Sequence, residues 1–396
     1  MKTVGIIAEY NPFHNGHKYH IDVTKQSGAD AVVCVMSTYF VQRGESAIAE
    51  PKIRAQMALK NGADLVLALP LPWACAGAQV FARGAVSILS NTGCIDVLSF
   101  GSECADIEKL KQAASVIDDE KVREALKENL LEGMTFAAAR QKAIDKINPE
   151  ISHILSNPND TLGVEYIRAL MLSDSKIEPF AVRREGAGHD TEDVNENIAS
   201  ASFIRTILKG ADSADLLIPE SAFKILEKEL ENKKAPSDIK KIESAILAYM
   251  RSVSPEDILK TPDISEGLEN RIYTAARQAR SLDELYALVK SKRYSHARIR
   301  RAVINTFLDV TKEDCEGEPP YIKVLGFTKK GQEILKIMKE TAKIPVVMRS
   351  ADILKLDERA KRIFNLEAHA ADMFALTLPE IQPCGMEYTS QIVIEK

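Results

Sequence analysis

The first hundred positions of the chain alternate between two patterns of apolar and polar residues. Short apolar runs read TVGIIAEY, ADAVVCVMS, ADLVLALP and IDVLSFG, and each ends at a small or polar residue that begins a turn. Runs that are apolar on both faces are typical of parallel strands covered by helices. Between them, AEPKIRAQMALKNG places Ile53, Met57 and Leu59 at helical positions before Gly62. The alternation predicts an open α/β sheet.

Beyond about residue 215 the pattern changes. The segment ESAFKILEKELENKKAPSDIKKIESAILAYMRS is rich in Glu, Lys and Leu, and its helical period breaks at Pro236 and Pro255. We therefore predict two domains. Residues 1–215 form an α/β domain with a parallel sheet, and residues 216–396 form a mainly helical domain.

Composition narrows the class of protein. A chain of 396 residues with 45% hydrophobic content is long enough for two domains and a sizeable core. The formal net charge of -5 argues against nucleic-acid binding over the whole surface, so an RNA site must be a local basic patch. The short N-terminal apolar strand cannot span a membrane and lacks a signal-peptide pattern, so we expect a cytoplasmic protein. The cysteines lack a CxxC pair and are expected to be buried thiols of a reducing compartment: Cys34, Cys75, Cys94, Cys104, Cys315 and Cys384.

The stretch GIIAEYNPFHNGHKYHI carries the first candidate chemistry. The predicted strand 4–8 delivers residues 11–17 to the carboxyl edge of the sheet, where open α/β sheets bind ligands. Gly16 allows a phosphate to approach the backbone, and the next helix offers unpaired N–H groups and the positive end of its dipole. His14 and His17 share one face of the first turn. Two imidazoles there can donate hydrogen bonds to a phosphorus centre as charge develops.

Two other interpretations of these histidines stay open. His14, His17 and His20 form an HxxHxxH pattern that can bind zinc, although three such positions sweep off one helix face. The histidines can also act only as structural caps framed by Pro12 and Gly16. We favour phosphate chemistry, with His14 and His17 as the catalytic pair and no metal held by protein side chains.

The segment IASASFIRTILKG predicts a second anion-binding element. It places hydroxyls at Ser200 and Ser202 ahead of an amphipathic helix and Arg205 inside the first turn of that helix. Hydroxyls and an arginine at a helix start can hold an anion. The alternative is an ordinary serine N-cap with a solvated arginine.

Together the two segments resemble the nucleotidyltransferase superfamily, which carries HxGH near the N-terminus and an ISSTxxR-like motif later. The second motif reads ASASFIR here, with alanine at two of its positions. Further motifs look like those of the bacterial tRNA(Met) cytidine acetate ligases, in the same order: GIIAEYNPFHNGHKYH, FVQRGESAI, NGADLVLALP, LSFGSE, PNDTLGVEYIRAL, YSHARIRR and YIKVLGFTKKG. The resemblance covers roughly residues 2–345. It implies a Rossmann-like nucleotidyltransferase domain that activates acetate with ATP as acetyl-adenylate and acetylates N4 of the wobble cytidine of elongator tRNA(Met).

The resemblance also implies the ATP site. With the helix-start pair Ser202 and Arg205, the expected ATP-binding residues are Ile7, Ala8, Glu9, Tyr10, Asn11, Pro12, Phe13, His14, Asn15, Gly16, His17, Lys18, Tyr19, His20, Gly101, Asn159, Arg183 and Arg184. Gly101 offers bare backbone to the adenosine, Asn159 can bond to ribose or base, and the arginine pair adds charge. Without the resemblance these residues suit a turn, a helix cap and a solvated strand end. Mg²⁺ is expected to arrive with ATP because no carboxylate cage is evident.

A basic stretch, KSKRYSHARIRR, predicts contact with tRNA, because it contains no acidic residue in an acidic chain. The cations assigned to tRNA are Lys290, Lys292, Arg293, Arg298, Arg300 and Arg301. Tyr294 is expected to stack on a base, and the arginines are expected on the outer face of a helix that packs its apolar side inward. Lys323, Lys329 and Lys330 are expected to extend the same surface. A solvated helix start is the plainer alternative.

Other functions and the acetate pocket stay open at this point. Phe40, Trp73 and Phe100 lie near strand ends and are candidates for the acetate pocket. A small-molecule adenylyltransferase of the nicotinate-nucleotide or pantetheine-phosphate type shares the HxGH edge but needs no basic helical domain. A non-catalytic ATP-dependent RNA-binding module keeps both affinities without turnover. The expected partners are tRNA and acetate, with no DNA and no membrane.

Overall fold

The computed structural model of the chain describes residues 1–184, 198–210, 212–265 and 267–396. Its strands are β1 (Thr3–Ala8), β2 (Ala31–Ser37), β3 (Phe40–Val41), β4 (Glu45–Ser46), β5 (Leu65–Leu69), β6 (Val97–Ser102), β7 (Glu178–Arg183), β8 (Ile322–Phe327), β9 (Val346–Val347) and β10 (Val393–Ile394). Within the described ranges, eight of them form one sheet in the order β10-β8-β5-β2-β1-β6-β7, with β9 beside β8. Strands β3 and β4 form a separate antiparallel hairpin.

Helices surround this sheet. Those before the undescribed segment 185–197 are α1 (Asn15–Gln26), α2 (Pro51–Lys60), α3 (Leu71–Ala74), α4 (Ala78–Asn91), α5 (Ile107–Ile117), α6 (Glu120–Leu131), α7 (Phe136–Asp145), α8 (Pro149–Ser152) and α9 (Pro158–Leu172). Those after it are α10 (Ala201–Lys209), α11 (Glu220–Glu231), α12 (Glu243–Ser252), α13 (Pro255–Leu259), α14 (Leu268–Gln278), α15 (Leu282–Val289), α16 (His296–Phe307), α17 (Lys329–Thr341), α18 (Ser350–Ile353), α19 (Glu358–Ala375) and α20 (Met386–Thr389). Short 3₁₀ helices lie at His153–Ser156, Ile239–Ile242 and Glu313–Cys315.

The order of the strands creates a binding crevice. Strand β1 lies in the middle and pairs in parallel with both β2 and β6. The chain first extends the sheet through β2 and β5, then returns to place β6 and β7 on the other side of β1. Open α/β sheets bind ligands beyond the carboxyl ends of the strands where the order reverses, which here means β1 and β6. The prediction of an α/β fold with a mainly parallel sheet is confirmed.

The strands are apolar on both faces because both faces of the sheet are covered. Ile6 pairs with Cys34, and these residues belong to the core that contains α2, α10 and α11. Ile7 pairs with Val35, and these residues belong to the larger core that contains α4, α9 and the later helices. Neighbouring positions on one strand therefore serve different cores.

The mainly helical second half also supplies the edge of the sheet. Strand β8 pairs antiparallel with β5, and β10 pairs in parallel with β8. These strands were not predicted from the sequence, because the run YIKVLGF was interpreted only as a family motif. The proposed boundary at residues 215 and 216 stays a prediction. Among the described residues, no helix is both long enough and apolar enough to cross a membrane.

The cysteines are free thiols, and their exposure differs from the expectation of six buried residues. Cys34, Cys75 and Cys315 are buried, whereas Cys94 and Cys104 are only partly covered. The remaining one, Cys384, is exposed because it lies in the turn between α19 and α20.

Candidate active site

A cavity of about 740 Å³ opens beyond the carboxyl ends of β1 and β6. It is lined by the β1–α1 junction, the end of β6, the end of β7, the start of α10 and the first turns of α16. Most of the expected ATP-binding residues line it: Ile7, Ala8, Glu9, Tyr10, His14, Gly16, His17, Tyr19, His20, Gly101, Asn159, Arg183, Arg184, Ser202 and Arg205. The fold therefore brings together motifs that lie up to two hundred residues apart.

The HxGH motif forms the N-cap of α1. His14 is the N-cap residue, and its Nδ1 accepts a hydrogen bond from the Gly16 N–H at 3.1 Å. The His14 N–H in turn donates to Nδ1 of His17 at 3.2 Å, and the two rings stack with centroids 3.8 Å apart. A neutral imidazole whose Nδ1 accepts must carry its hydrogen on Nε2. Capping therefore leaves each ring with an Nε2–H donor for an oxygen in the cavity.

Burial keeps these rings neutral. It lowers the pKa of His14 to about 3, and the charges of Arg184 and Arg205 act in the same direction. Burial also lowers the pKa of His17 well below its usual value, with His14 next in importance. The pKa of His20 falls to about 4 for the same main reason. The pair therefore acts as hydrogen-bond donors at neutral pH and does not carry positive charge in the free protein.

The start of α10 supplies cations and hydroxyls to the same cavity. Ser200 is the N-cap, and its side chain accepts from the Phe203 N–H, as the capping pattern predicted. Arg205 donates to the Asn11 carbonyl at 3.0 Å and to the Ser202 hydroxyl at 3.2 Å. These bonds hold the guanidinium across the β1–α1 loop, so Arg205 is a positioned group and not a solvated one.

The opposite side of the cavity is built by β6, β7 and α9. A Cβ on Gly101 would lie 3.3 Å from the Arg184 side chain, so bare backbone leaves room for that arginine. Asn159 is held by a 2.6 Å bond to Glu103, and Arg184 donates to its Oδ1 at 3.4 Å. Arg183 donates to the carbonyls that follow β6. Asn159 does not cap α9, because the N-cap position belongs to Asn157.

Five residues of the expected ATP-binding set do not line the cavity: Asn11, Pro12, Phe13, Asn15 and Lys18. Asn11 accepts from the Ile48 N–H, and Phe13 is fully buried in the core. Asn15 bonds the Leu216 carbonyl, and Lys18 pairs with Asp22 on the same helix. These side chains bond or pack within the protein. Direct contact between the five residues and the nucleotide stays a prediction, and the lining of the cavity does not support it.

The basic stretch divides into an exposed segment and a packed helix. Lys290, Lys292 and Arg293 are exposed. Arg300 pairs with Glu45 at 2.5 Å and Arg301 pairs with Asp263 at 2.6 Å, and both arginines line the cavity. Helix α16 is capped by Ser295, as expected, and buries its apolar positions Ile299, Ala302, Val303 and Ile304.

Two expectations for the basic stretch are wrong, and a third, for the lysines after residue 320, is wrong as well. The arginines do not occupy a free outer face, because Arg298 donates to the Asp263 carbonyl and to Ser265 while Arg300 and Arg301 face the hairpin and the cavity. Tyr294 is only 3% exposed, so its ring cannot stack on a base.

The third wrong expectation concerns the lysines after residue 320. Lys323 is only partly exposed and pairs with the buried Glu387. Lys330 donates to the carbonyl of Asp30, which precedes β2 and thus marks the amino edge of the sheet, opposite the cavity. These lysines do not extend the basic surface.

Of the three candidates for the acetate pocket, one lines the cavity and two do not. Phe100 lines the cavity, whereas Phe40 and Trp73 are fully buried away from it.

Several residues that line the cavity were not predicted from the sequence: Gln42, Arg43, Phe81, Tyr166 and His296. The motifs FVQRGESAI and YSHARIRR contain three of these residues, so the motifs were noticed but their place in the cavity was not.

The zinc interpretation has no geometric support. Nδ1 of His14 and Nδ1 of His17 already accept backbone N–H groups, and Nε2 of His20 bonds Ser99 at 2.9 Å. Within the described part of the chain, no group of three or more His, Cys, Asp or Glu side chains is placed to hold a metal ion.

The fold, the switch-point cavity and the HxGH cap together define a nucleotidyl transferase. The family described as HIGH Nucleotidyl Transferase matches residues 1–387, and this chain belongs to it. A tRNA(Met) cytidine acetate ligase of Acetivibrio thermocellus is 37% identical over 414 residues and 100% of both chains. Another, of Caldanaerobacter subterraneus, is 38% identical over 404 residues, with 99% of this chain and 100% of that protein covered.

Solved structures show the same similarity. Apo Thermotoga maritima TmcAL has a TM-score of 0.95 and 33% identity, with 100% of this chain and 99% of that chain covered. Thermotoga maritima TmcAL bound with alpha-thio ATP has a TM-score of 0.93 and 32% identity, with 100% of both chains covered. The resemblance to the tRNA(Met) cytidine acetate ligases is thereby confirmed.

Proposed function

We propose that this chain is an ATP-dependent ligase that activates acetate as acetyl-adenylate and acetylates N4 of the wobble cytidine of elongator tRNA(Met). The observation that carries the proposal is the joint cavity. It places the HxGH donors, Arg184 and Arg205 beside residues of α16, which follows the exposed basic segment. A full-length similarity to ligases with that name supports the same function.

The adenylation step needs positioning and charge stabilisation. An acetate oxygen attacks the α-phosphorus of ATP, a P–O bond forms, and pyrophosphate leaves with the electron pair of the bond that breaks. The Nε2–H groups of His14 and His17 and the positive end of α1 stabilise the charge on the phosphoryl oxygens. Arg184, directly after β7, and Arg205, in α10, line the same cavity and neutralise the phosphates.

Magnesium enters this proposal with the nucleotide. Among the described residues, no group of three or more His, Cys, Asp or Glu side chains is placed to hold a metal ion. Mg²⁺ prefers phosphate oxygens and water with few protein carboxylates, which suits delivery on the triphosphate. No catalytic step here depends on a protein-bound metal.

The tRNA site is assigned to the exposed segment. Lys290, Lys292 and Arg293 are exposed, and the stretch KSKRYSHARIRR contains no acidic residue. The Lys290 ammonium also donates to the Tyr294 carbonyl at 3.0 Å. Phosphate contact by such cations positions an RNA without reading its sequence. Because ATP and tRNA are cytoplasmic substrates, we place the protein in the cytoplasm.

The test is a nucleoside mass analysis of unmodified elongator tRNA(Met) after incubation with the protein, ATP, magnesium and isotope-labelled acetate. We expect a labelled acetylcytidine that requires both ATP and tRNA. The control reaction replaces ATP with its non-hydrolysable α,β-methylene analogue, which cannot form the adenylate. A lack of labelled nucleoside with intact ATP binding would reject the ligase function and favour a small-molecule adenylyltransferase.

A further inference from the structure

The cavity has two walls that come from different parts of the chain. The first holds the nucleotide-binding residues described above. The second is formed by the hairpin loop, the start of α4 and the first turn of α16, with Gln42, Arg43, Ala78, Phe81, His296 and Ala297. The exposed cations at residues 290–293 directly precede α16. An RNA held by those cations can therefore place a base against the second wall while the adenylate occupies the first.

Acetyl transfer to cytosine needs a base. The lone pair of the exocyclic N4 amine is delocalised into the ring, so the amine is a weak nucleophile and must lose a proton as it attacks. A protein group that accepts this proton must line the cavity within reach of the acetyl carbon, and it must have an unoccupied acceptor atom.

Most titratable residues of the cavity do not meet these conditions. Both HxGH rings use Nδ1 as an acceptor for a backbone N–H and keep the hydrogen on Nε2. His20 is occupied by Ser99, and burial raises the pKa of Tyr10 and Tyr166, which stay protonated. Glu9 accepts the Gln42 N–H through Oε1 at 3.0 Å, which leaves Oε2 as an acceptor, but Glu9 directly follows β1 and lies with the nucleotide-binding residues of the first wall.

His296 meets them. It is exposed in the first turn of α16 and lines the second wall. Within the described part of the chain, its side chain has no hydrogen-bond or ion-pair partner, so both ring nitrogens are accessible to a substrate.

We propose that the second wall is the acceptor site for the cytosine and that His296 is the general base that removes the N4 proton during acetyl transfer. This inference rests on the proposed function and deepens its second step. The N4 lone pair forms a C–N bond to the acetyl carbon, and the bond from that carbon to the phosphate oxygen breaks. AMP leaves with the electron pair of that bond. The N4 proton moves to the imidazole and from there to solvent, so the products are acetylcytidine, AMP and a proton.

The experiment separates the two half-reactions in the full-length protein. Acetate-dependent ATP–pyrophosphate exchange measures adenylation without tRNA, and single-turnover transfer from preformed enzyme-bound acetyl-adenylate measures the second step. The variants are His296→Ala and His296→Gln, with His153→Ala as a control at an exposed histidine outside the cavity lining. Affinity for tRNA is measured for each variant.

We expect exchange and tRNA affinity within about twofold of wild type, and transfer lowered by a factor of about one hundred or more in both His296 variants. Added imidazole restores part of the transfer rate in His296→Ala.

Other outcomes overturn the inference. Normal transfer by His296→Ala excludes the residue as a base. A parallel loss of exchange and transfer, or a loss of tRNA affinity that accounts for the slow transfer, assigns His296 a structural or binding role. If wild-type protein shows neither exchange nor transfer, the proposed function itself fails, a result separable from a defect confined to the variants.

Discussion

At the scale of single residues, the HxGH motif works through hydrogen bonds that the backbone dictates. The Gly16 N–H and the His14 N–H each occupy an Nδ1 atom, so the fold selects the tautomer with hydrogen on Nε2. Burial keeps the rings neutral, so the donors do not depend on protonation near neutral pH. Glycine is required at position 16 because a Cβ there would lie only 2.9 Å from the His14 ring and would clash with it.

The first prediction separates the role of His17 as a hydrogen-bond donor from its role in capping α1. His17→Asn keeps a side-chain oxygen near the position of Nδ1 and can still accept the His14 N–H, but it lacks the Nε2 donor. We expect acetate-dependent ATP–pyrophosphate exchange to fall by about a hundredfold or more in His17→Asn and in His17→Ala, as for loss of a transition-state donor. The thermal midpoint of His17→Asn should stay closer to wild type. Near-normal exchange in His17→Asn would remove the phosphate role of this ring.

At the scale of elements, the β3–β4 hairpin joins the nucleotide side of the molecule to α16. Gly44 in its turn has a φ of +71°. A Cβ at this position would lie 2.5 Å from the Arg301 backbone nitrogen, so only glycine lets the turn rest on the helix. Glu45 pairs with Arg300 at 2.5 Å and approaches Arg205 to 3.9 Å. The hairpin thus fixes α16, and with it His296, relative to Arg205.

Replacement of Gly44 tests this docking. Gly44→Ala is destabilised both by the left-handed backbone conformation and by the steric clash with α16. Gly28→Ala is destabilised only by the backbone conformation, since Gly28 has a φ of +95° and no atom within 4 Å of its Cβ position. We expect Gly44→Ala to lower the free energy of unfolding by roughly 2 kcal/mol more than Gly28→Ala. Urea unfolding of both variants measures the difference. Equal losses would mean that the hairpin does not depend on close contact with α16.

A second prediction at this scale concerns the basic segment. Lys290→Glu with Lys292→Glu and Arg293→Glu should weaken tRNA binding at least tenfold and reduce the dependence of log K on log salt by about two to three, while exchange stays normal. The matched control reverses three exposed charges on α17, at Lys329, Lys330 and Lys336. Filter binding over a salt series provides the comparison. Equal losses in both triple variants would show that binding reflects total charge and not this segment.

At the scale of the whole molecule, the C-terminal helices close over the sheet through buried carboxylates. Glu387 accepts from the Tyr39 hydroxyl at 2.8 Å and pairs with Lys323 of β8. Glu367 of α19 is buried and accepts the Leu71 N–H. Burial, and then the charge of Glu387, raise the pKa of Glu367 to about 8 from its usual 4.5.

This shift makes stability depend on pH. A carboxyl with a raised pKa in the folded state binds its proton more tightly when folded, so its contribution is full below about pH 4.5 and is lost as pH rises through about 8. Glu367→Gln removes this dependence. We expect its unfolding free energy relative to wild type to increase by roughly 3 kcal/mol between pH 5.5 and pH 8.5. Thermal unfolding at both pH values measures it, with the exposed Glu108→Gln as control. A difference that does not change with pH would contradict the shift.

The sequence by itself determined the features that local chemistry controls. Apolar runs on both faces specified parallel strands, Ser200 and Ser295 specified helix starts, and the HxGH motif placed two histidines at the edge of β1. Most of the expected nucleotide-binding residues share one cavity because the carboxyl ends of parallel strands meet at one edge.

Only the tertiary structure decided which side chains are available to substrates. The pattern of α16 did not reveal that Arg300 and Arg301 face the hairpin or that Tyr294 is buried, because those outcomes depend on partners more than 250 residues away in sequence or on packing around the helix. The same holds for β8 and for His296. A short strand and a lone histidine carry little local signal, and their roles arise when distant segments fold against one edge of the sheet.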